Sequence, residues 1–238
     1  MIKADFPKHI GIIMDGNGRW AKKFLMRREA GHRAGAQALR RLVQDMDAAG
    51  FEMLTVYAFS TENWKRDEGE VAYLMELITE YLQRYIDDVK KSNGCIRIIG
   101  DRTKLSIELQ QKIATLERLT ASKNGLLLNI AINYGGRDEI LRASRRLAAD
   151  IASGKISASD IADISEADFA AYLDTHPLPD PELIIRTSGE MRLSNFMLWQ
   201  AAYSELYTTP VLWPDFKIKH IYEAIEAYNA RHRRFGGR

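Results

Sequence analysis

The string DGNGR (15–19) has the residue types of a phosphate-binding turn. Glycines on either side of Asn17 allow a sharp backbone turn that brings N–H groups close to a ligand. A helix starting near Arg19 would add a partial positive charge, and the Arg19 guanidinium offers a planar fork for phosphate oxygens. Arg28 and His32 follow and could supply two more donors. This set fits an anionic ligand with several phosphate oxygens.

Asp15 is the unusual member of this string. A carboxylate beside a phosphate is repelled unless a cation lies between them. Mg²⁺ meets that requirement, because proteins often hold it with one or two carboxylates together with substrate phosphates. The sequence therefore predicts a magnesium diphosphate rather than a bare phosphate.

Two alternatives apply to the same string. It satisfies G-x-G-x-x-A, a form of the dinucleotide fingerprint of nucleotide-dependent oxidoreductases. That fingerprint expects an acidic residue about 20 positions on, whereas Glu62 lies roughly twice as far away. The other alternative is a tight strand-to-helix turn in which Asp15 only caps a helix.

Polar residues also follow two later apolar runs. Ser60, Asn63, Trp64 and Arg66 come after LTVYAF (54–59), where they could contact a ligand, cap a helix or simply pack. RTSGEMRLSN (186–195) is a second arginine-rich string. Its arginines could each grip a phosphate bidentately, or pair with Glu190 in a surface loop.

Two phosphate sites on one sheet edge predict two phosphorylated substrates. If the substrates are lipids, an apolar space must lie between the sites. The helical pattern over 70–91 carries a stripe of Val, Leu, Met and Ile that could line such a space. Most of a stripe like this is ordinary core.

The elements that position these residues alternate along the chain. Apolar runs rich in β-branched residues predict strands at 9–14, 54–59, 95–100, 126–132 and 182–186. Helical periodicity predicts helices at 31–50, 70–91, 105–119, 137–152 and 217–230. Alternating strands and helices favour one α/β domain with a mostly parallel sheet covered on both faces. Ligands then bind beyond the carboxyl ends of the strands.

Glycine and proline mark the expected boundaries. Gly50, Gly94 and Gly125 stand where predicted helices end, as C-terminal caps do. Residues 153–181 predict short helices ending in a proline-rich turn. No repeat or long linker divides the chain, so we expect a single domain over 1–238.

Composition limits the classes of function. Of the 238 residues, 34 are Lys or Arg and 32 are Asp or Glu, and this net charge of +2 gives no reason to expect a nucleic-acid partner. The single cysteine, Cys95, indicates a reducing compartment and is best interpreted as a core residue. The charged start predicts no signal peptide, and no run approaches the ~18 apolar residues of a membrane span. We expect a cytoplasmic protein, with peripheral membrane contact at most.

The motifs together resemble one family, the cis-prenyltransferases, and within it the bacterial undecaprenyl diphosphate synthases. The resemblance runs essentially end to end through residue-specific strings in the family's order. These are HIGIIMDGNGRWAKK (9–23), GHRAGA (31–36), YAFSTENWKR (57–66), RIIGD (97–101), LNIAINYGGR (128–137), IIRTSGEMRLSNFMLWQAAYSELY (184–207), VLWPDF (211–216) and RRFGG (233–237).

The resemblance implies a role for each matching position. The catalytic residues would be Asp15, Asn17 and Asn63, with Mg²⁺ bound by Asp15 and by Glu205, which reaches the partner subunit's site in the family dimer. The allylic diphosphate would contact Gly16, Asn17, Gly18, Arg19, Trp20, Arg28, His32, Ser60, Trp64 and Arg66. Isopentenyl diphosphate would contact Arg186, Glu190, Arg192, Ser194, Arg234 and Gly236.

The implied activity is Mg²⁺-dependent condensation of isopentenyl diphosphate with an allylic diphosphate such as farnesyl diphosphate. The resemblance implies a homodimer with an elongated apolar tunnel and a product of about C55 for cell-wall lipid carrier synthesis. Small Ala58 would leave room in that tunnel. Three other functions are the alternatives. They are a cis-prenyl diphosphate synthase with a shorter product, a nucleotide-binding oxidoreductase and a non-catalytic partner subunit. Residues 24–27, FLMR, depart from the short Gly- or Pro-containing link of many relatives.

Overall fold

The computed structural model describes residues 6–231. Its centre is a six-stranded sheet in the order β3-β4-β2-β1-β5-β6, in which every pair of neighbours is parallel. The strands are β1 (His9–Ile13), β2 (Met53–Ser60), β3 (Cys95–Ile99), β4 (Leu127–Tyr134), β5 (Leu183–Arg186) and β6 (Glu205–Thr208). The prediction of a parallel sheet is confirmed.

Helices connect the strands. They are α1 (Asn17–Lys23), α2 (Arg28–Ala49), α3 (Glu68–Asp87), α4 (Ile107–Thr120), α5 (Gly136–Ala152), α6 (Glu166–Ala170) and α7 (Ile218–Asn229). Short 3₁₀ turns include Thr61–Lys65 after β2 and Ala158–Asp163 before α6. The prediction of short helices over 153–181 is confirmed. Within residues 6–231 no helix is both long and apolar enough to cross a bilayer.

The sheet is buried on both faces, as apolar parallel strands require. Successive strand residues point to opposite faces. Ile10 and Ile12 of β1 enter the larger core, which α2, α3, α4 and α7 complete. Ile13 enters a smaller core with Phe196 and Met197 on the other face. The strands therefore form a rigid floor under the loops at their carboxyl ends.

Several boundaries differ from the sequence prediction. The edge strand β6 was missed, because its four residues are half-buried and carry no long apolar run. α2 begins at Arg28, so Gly31 and His32 lie in its first turns rather than opening it. α1 begins at Asn17, with Gly16 rather than Asp15 at its N-cap.

Only one of the three expected glycine caps is confirmed. Gly50 ends α2 with φ 78, in the left-handed region that glycine adopts easily. Gly94 and Gly125 are not caps, because α3 already ends at Asp87 and α4 at Thr120. A Cβ on Gly125 would lie 2.7 Å from the Asn93 carbonyl oxygen. Gly125 is therefore needed where two loops pass closely.

Candidate active site

The carboxyl ends of β1, β2 and β5 bring the three predicted polar segments together. Asp15 follows β1, Ser60 ends β2 and Arg186 ends β5. All three residues line one cleft of about 700 Å³. Parallel strands end at the same edge of a sheet, and this is where ligands bind in open α/β folds.

Gly16 shapes the turn after β1. Its φ of 109 lies in the left-handed region, and a Cβ there would lie 3.0 Å from Ser188 and from the Leu212 side chain. The turn after β1 is thus packed against the loop after β5. Any larger residue at position 16 would push the two loops apart.

Asn17 is held against α2. A Cβ on Gly31 would lie 2.1 Å from the Asn17 carbonyl oxygen, and one on Gly35 would lie 2.3 Å from its Oδ1. Oδ1 is buried and has no hydrogen-bond partner within residues 6–231. Asn17 borders both the cleft and an apolar cavity behind it. Its amide therefore offers unused hydrogen-bonding capacity at the junction of the two spaces.

The Asp15 carboxylate faces two guanidinium groups. Its Oδ2 lies 2.9 Å from Nη2 of Arg186 and 3.6 Å from Nη2 of Arg19. Partial burial favours the neutral carboxyl, but the hydrogen bond and charge of Arg186, aided by Arg19, outweigh it and lower the pKa of Asp15. Asp15 is therefore ionised at neutral pH.

Arg186 is only 4% exposed and is held in one orientation. Its Nη1 donates to the Arg192 carbonyl at 2.5 Å and to Ser194 Oγ at 2.8 Å. Its Nε is buried and has no partner within residues 6–231. This arginine anchors the loop after β5 and keeps one donor unused.

Glu190 connects the two predicted phosphate sites. Its carboxylate lies 3.3 Å from Arg19 and 2.5 Å from Arg192. Arg19 also donates to the carbonyl oxygen of Ser188 at 3.0 Å. The two guanidinium groups thus share one carboxylate, which an incoming diphosphate would have to displace.

Glu70 organises the opposite wall of the cleft. This largely buried carboxylate lies 2.9 Å from Arg28, 2.8 Å from Arg66 and 3.3 Å from Nε2 of His32. Glu70 was not predicted as a site residue, because Arg66 lies just before α3 and Arg28 and His32 lie on another helix, α2. It positions three predicted diphosphate ligands and leaves them with a positive excess.

His32 is buried beside this cluster. Burial lowers the pKa of His32, and the charges of Arg66 and Arg28 lower it further against the opposing effect of Glu70. The imidazole is therefore neutral at pH 7. It can act as a hydrogen-bonding group rather than as a cation.

The turn after β2 serves both as a cap and as a wall of the cleft. The Ser60 N–H donates to Asn63 Oδ1 at 3.1 Å, and both residues line the cleft. Trp64 does not line it, because its indole N–H donates to Asn133 Oδ1 at 2.7 Å. Trp64 thus fastens this turn to β4.

A second contact closes the cleft from the other side. Asn195 Nδ2 donates to Glu62 Oε1 at 2.7 Å, which joins the turn after β2 to the loop after β5. Both residues line the cleft, and neither was identified from the sequence. They become recognisable only once the strand order places β2 and β5 on either side of β1.

An apolar cavity of about 110 Å³ continues from the cleft. The two spaces share Met14, Ala58 and Leu74 in their walls, and α3 supplies much of the cavity's lining. Tyr81 and Tyr85 also line it, and they separate it from a further space of about 450 Å³ near the other end of the sheet. An apolar tail attached to a group in the cleft has a path into the interior.

Asp15 is the predicted magnesium ligand that lines the cleft. Within residues 6–231 no group of three His, Cys, Asp or Glu side chains is placed to hold a metal unaided. Mg²⁺ usually keeps several waters and is completed by substrate phosphates. The ionised Asp15, which faces a cation-lined cleft, fits a site of that kind.

Comparison with known proteins identifies the family. The profile described as putative undecaprenyl diphosphate synthase matches residues 13–236. The chain belongs to that cis-prenyltransferase family. It is 49% identical to the isoprenyl transferase of Bacillus subtilis, over 100% of this chain and 90% of that one. It is 50% identical to the isoprenyl transferase of Streptococcus mutans, over 97% of this chain and 93% of that one.

Solved cis-prenyltransferase structures have the same fold. Lavandulyl diphosphate synthase from Lavandula x intermedia, in complex with dimethylallyl diphosphate, has a TM-score of 0.92 at 34% identity. That match covers 98% of this chain and 100% of the other. A probable undecaprenyl diphosphate synthase from Campylobacter jejuni has a TM-score of 0.78 at 31% identity, covering 97% and 99%. The chain is a prenyltransferase, so the dinucleotide interpretation of DGNGR is wrong.

The structure brings most predicted residues of this prenyltransferase together. The cleft is lined by Asp15, Gly16, Asn17, Gly18, Arg19, Arg28, His32, Ser60, Asn63, Arg66, Arg186 and Ser194. Glu190 and Arg192 lie at its rim through their contacts with Arg19 and Arg186. Their individual roles stay predictions.

Besides Trp64, four predicted residues lie elsewhere or are not described. The Trp20 indole donates to Asp215 at 2.9 Å rather than lining the cleft. Glu205 starts β6, at the end of the sheet away from Asp15, and pairs with Arg231. A role for Glu205 in a partner subunit stays a prediction. Arg234 and Gly236 lie outside the described residues.

Proposed function

We propose that this enzyme elongates an allylic diphosphate, such as farnesyl diphosphate, with isopentenyl diphosphate in a Mg²⁺-dependent, cis-selective reaction. The observation that carries the proposal is the position of Asp15. Its ionised carboxylate lies between Arg19 and Arg186, at the mouth of a cleft that leads into an apolar cavity. Polyanionic heads and an apolar tail are the features that this arrangement complements.

Each substrate head has its own set of donors. Arg19, Arg28 and the Gly16–Gly18 turn would hold the allylic diphosphate. Arg186, Arg192 and Ser194 would hold isopentenyl diphosphate beside it. Asp15 orients Arg186, and Glu70 orients Arg28. These two arginines therefore need little reorganisation when the substrates bind.

The reaction begins when the allylic C–O bond breaks and diphosphate leaves with the electron pair. When bound, Mg²⁺ would help neutralise the charge that develops on that leaving group. Arg19 and Arg28 stabilise the same charge. The double bond of isopentenyl diphosphate attacks the allylic carbon, and loss of a proton from the adjacent carbon forms the new cis double bond.

Asn17, Asp15 and a diphosphate oxygen are the candidate groups for assisting that proton loss. Asn17, whose Oδ1 has no hydrogen-bond partner within residues 6–231, lines both the cleft and the cavity. This is the region in which the reacting carbons would lie. Asn63 would act indirectly, by holding the turn that forms the cleft wall.

Product length depends on the apolar cavity. We propose a long product of about C55, for synthesis of a cell-wall lipid carrier. The cavity of about 110 Å³ would have to extend past Tyr81 and Tyr85 into the space of about 450 Å³ behind them. The small volume of this cavity favours a shorter product as the second candidate, since cavities of about 150 Å³ bind molecules only as large as benzene.

We further propose a homodimer in which Glu205, Arg234 and Gly236 serve the partner's site. The protein would work in the cytoplasm and touch the membrane peripherally when its lipid product leaves.

The test is incubation with farnesyl diphosphate, radiolabelled isopentenyl diphosphate and Mg²⁺, followed by chain-length analysis. The proposal expects cis-polyprenyl products whose formation EDTA abolishes and added Mg²⁺ restores. Undiminished turnover in EDTA would overturn the metal dependence. Products with trans double bonds only, or none from any allylic starter, would overturn the reaction. Products stopping well short of C55 would support the second candidate.

A further inference from the structure

The link between α1 and α2 exposes apolar side chains. Leu25 is 97% exposed, Phe24 is 49% exposed and Met26 is 52% exposed. Scattered exposed apolar residues are normal, but three in succession form a local patch of the kind that marks interaction sites. We call residues 22–27 the tip.

The tip is a defined turn that holds Leu25 outward. Phe24 and Met26 donate backbone hydrogen bonds to the Ala21 carbonyl at 3.1 and 2.9 Å, and Leu25 donates to Lys22 at 3.1 Å. Leu25 has a φ of 55, a left-handed conformation that is unfavourable for leucine. The chain thus holds leucine in a strained conformation without burying it.

Cations flank the apolar residues on both sides. Lys22 and Lys23 precede them and Arg27 follows, and all three are exposed. Within residues 6–231, no carboxylate pairs with these side chains in the structure. Glu29 is the nearest acidic residue along the sequence. Lys23 instead lies over the Phe24 ring, 5.8 Å from its centroid. Apolar residues among cations that no carboxylate neutralises are typical of segments that enter the interface of an anionic membrane.

A neighbouring surface extends the same charge. Lys23 lines a shallow cavity of about 350 Å³ together with Lys217 and Lys219. Among the described residues that line it, Asp215 is the one carboxylate, and that group already accepts a hydrogen bond from the Trp20 indole. This cavity beside the tip is suited to a phosphate-bearing headgroup.

We propose that the tip docks this protein on the surface of an anionic phospholipid bilayer. Leu25, Phe24 and Met26 enter the interface, and Lys22, Lys23, Arg27 and the two lysines of the neighbouring cavity contact the headgroups. Arg28 directly follows the tip and lines the cleft. Docking by the tip therefore places the cleft mouth near the bilayer. The inference concerns binding alone and does not depend on the proposed reaction.

The experiment measures co-sedimentation of the full chain with vesicles of phosphatidylcholine alone and of phosphatidylcholine mixed with phosphatidylglycerol. The wild type should bind the mixed vesicles more tightly, and salt should weaken that binding. Leu25→Asp should weaken binding by about tenfold or more, as should Lys22→Glu combined with Lys23→Glu. Ile107→Asp is the matched control, because Ile107 is also an exposed apolar residue (75%) but lies on α4. It should bind like the wild type.

The variants should not perturb folding, because Leu25 has almost no contacts to lose and Asp adopts the left-handed conformation more easily than Leu. Equal vesicle binding by the wild type, Leu25→Asp and the double variant would overturn the proposal. Equal binding of the wild type to vesicles with and without phosphatidylglycerol would also overturn it. Vesicle binding that the tip variants keep and Arg19→Ala loses would assign binding to the cleft arginines instead. A change of oligomeric state in Leu25→Asp would assign the tip to contact with a second copy of this chain.

Discussion

Arg186 Nη2 lies 2.9 Å from Asp15 Oδ2, across the carboxyl ends of the adjacent strands β1 and β5. This ion pair joins the two loops that are proposed to hold the two substrates. Because Arg186 is almost fully buried, its charge depends on Asp15 for compensation. Asp15 thus has a structural role besides the metal-binding role proposed for it, and experiments must separate the two.

Asp15→Asn should reduce turnover by more than about tenfold, or about 1.4 kcal/mol. Asparagine can still accept a hydrogen bond from Arg186, but it removes the charge that would bind Mg²⁺. Steady-state turnover and the thermal unfolding temperature should be measured together. Asp45→Ala, at an exposed position on α2, is the control and should keep full activity. A well-folded Asp15→Asn that retains more than about a tenth of wild-type turnover would disprove the metal role.

Arg192→Ala should raise the KM for isopentenyl diphosphate by about tenfold, since hydrogen bonds to charged groups contribute roughly 1.5–3 kcal/mol. Arg192 is exposed, and among the described residues its side chain pairs only with Glu190, so folding should be unaffected. The KM for the allylic substrate should change much less. Arg145→Ala, at an exposed position on α5, is the control for loss of a surface cation. An unchanged KM for isopentenyl diphosphate would exclude Arg192 from that site.

Tyr81→Ala should lengthen the product, because loss of the ring joins the apolar cavity to the space behind Tyr81. Tyr81→Phe is the matched control: it keeps the ring and removes only a buried hydroxyl that has no partner within residues 6–231. Its product length should match that of the wild type, and its stability should be equal or higher. Chain-length analysis of both variants checks the prediction. The same product distribution from Tyr81→Ala and Tyr81→Phe would show that this ring does not limit the chain.

His9 should make folding sensitive to acid. Its Nδ1–H donates to the Pro179 carbonyl at 2.6 Å, which leaves Nε2 to accept from the Thr55 hydroxyl at 2.6 Å. Burial lowers the pKa of His9 from 6.5 to about 4. Below pH 6.5 the unfolded chain therefore binds a proton that the folded chain does not, and stability falls until the pH nears 4.

This effect should remove about 2 kcal/mol of unfolding free energy between about pH 7.5 and pH 5. Urea denaturation at both pH values measures it. His9→Gln should be less stable than the wild type at pH 7.5, because it disrupts a buried hydrogen-bond network. Between the two pH values it should lose less unfolding free energy than the wild type, and the difference should equal the effect assigned to His9. If the two proteins lost equal stability on acidification, His9 would not be the titrating group.

The sequence alone determined the fold class, the family and most of the cleft. Short apolar runs ending in DGNGR, STENWKR and RTSGEMRLSN indicate where strands end, and parallel strands bring those ends to one edge. The tertiary structure decided the remaining contacts of the site, because these contacts depend on packing between segments that are distant along the chain. Packing of α3 beside α2 brings Glu70 to Arg28 and His32, and it places Tyr81 across the cavity. The Trp20 indole donates to Asp215 and the Trp64 indole donates to Asn133, so neither ring lines the cleft. Both acceptors lie in segments that are remote along the chain.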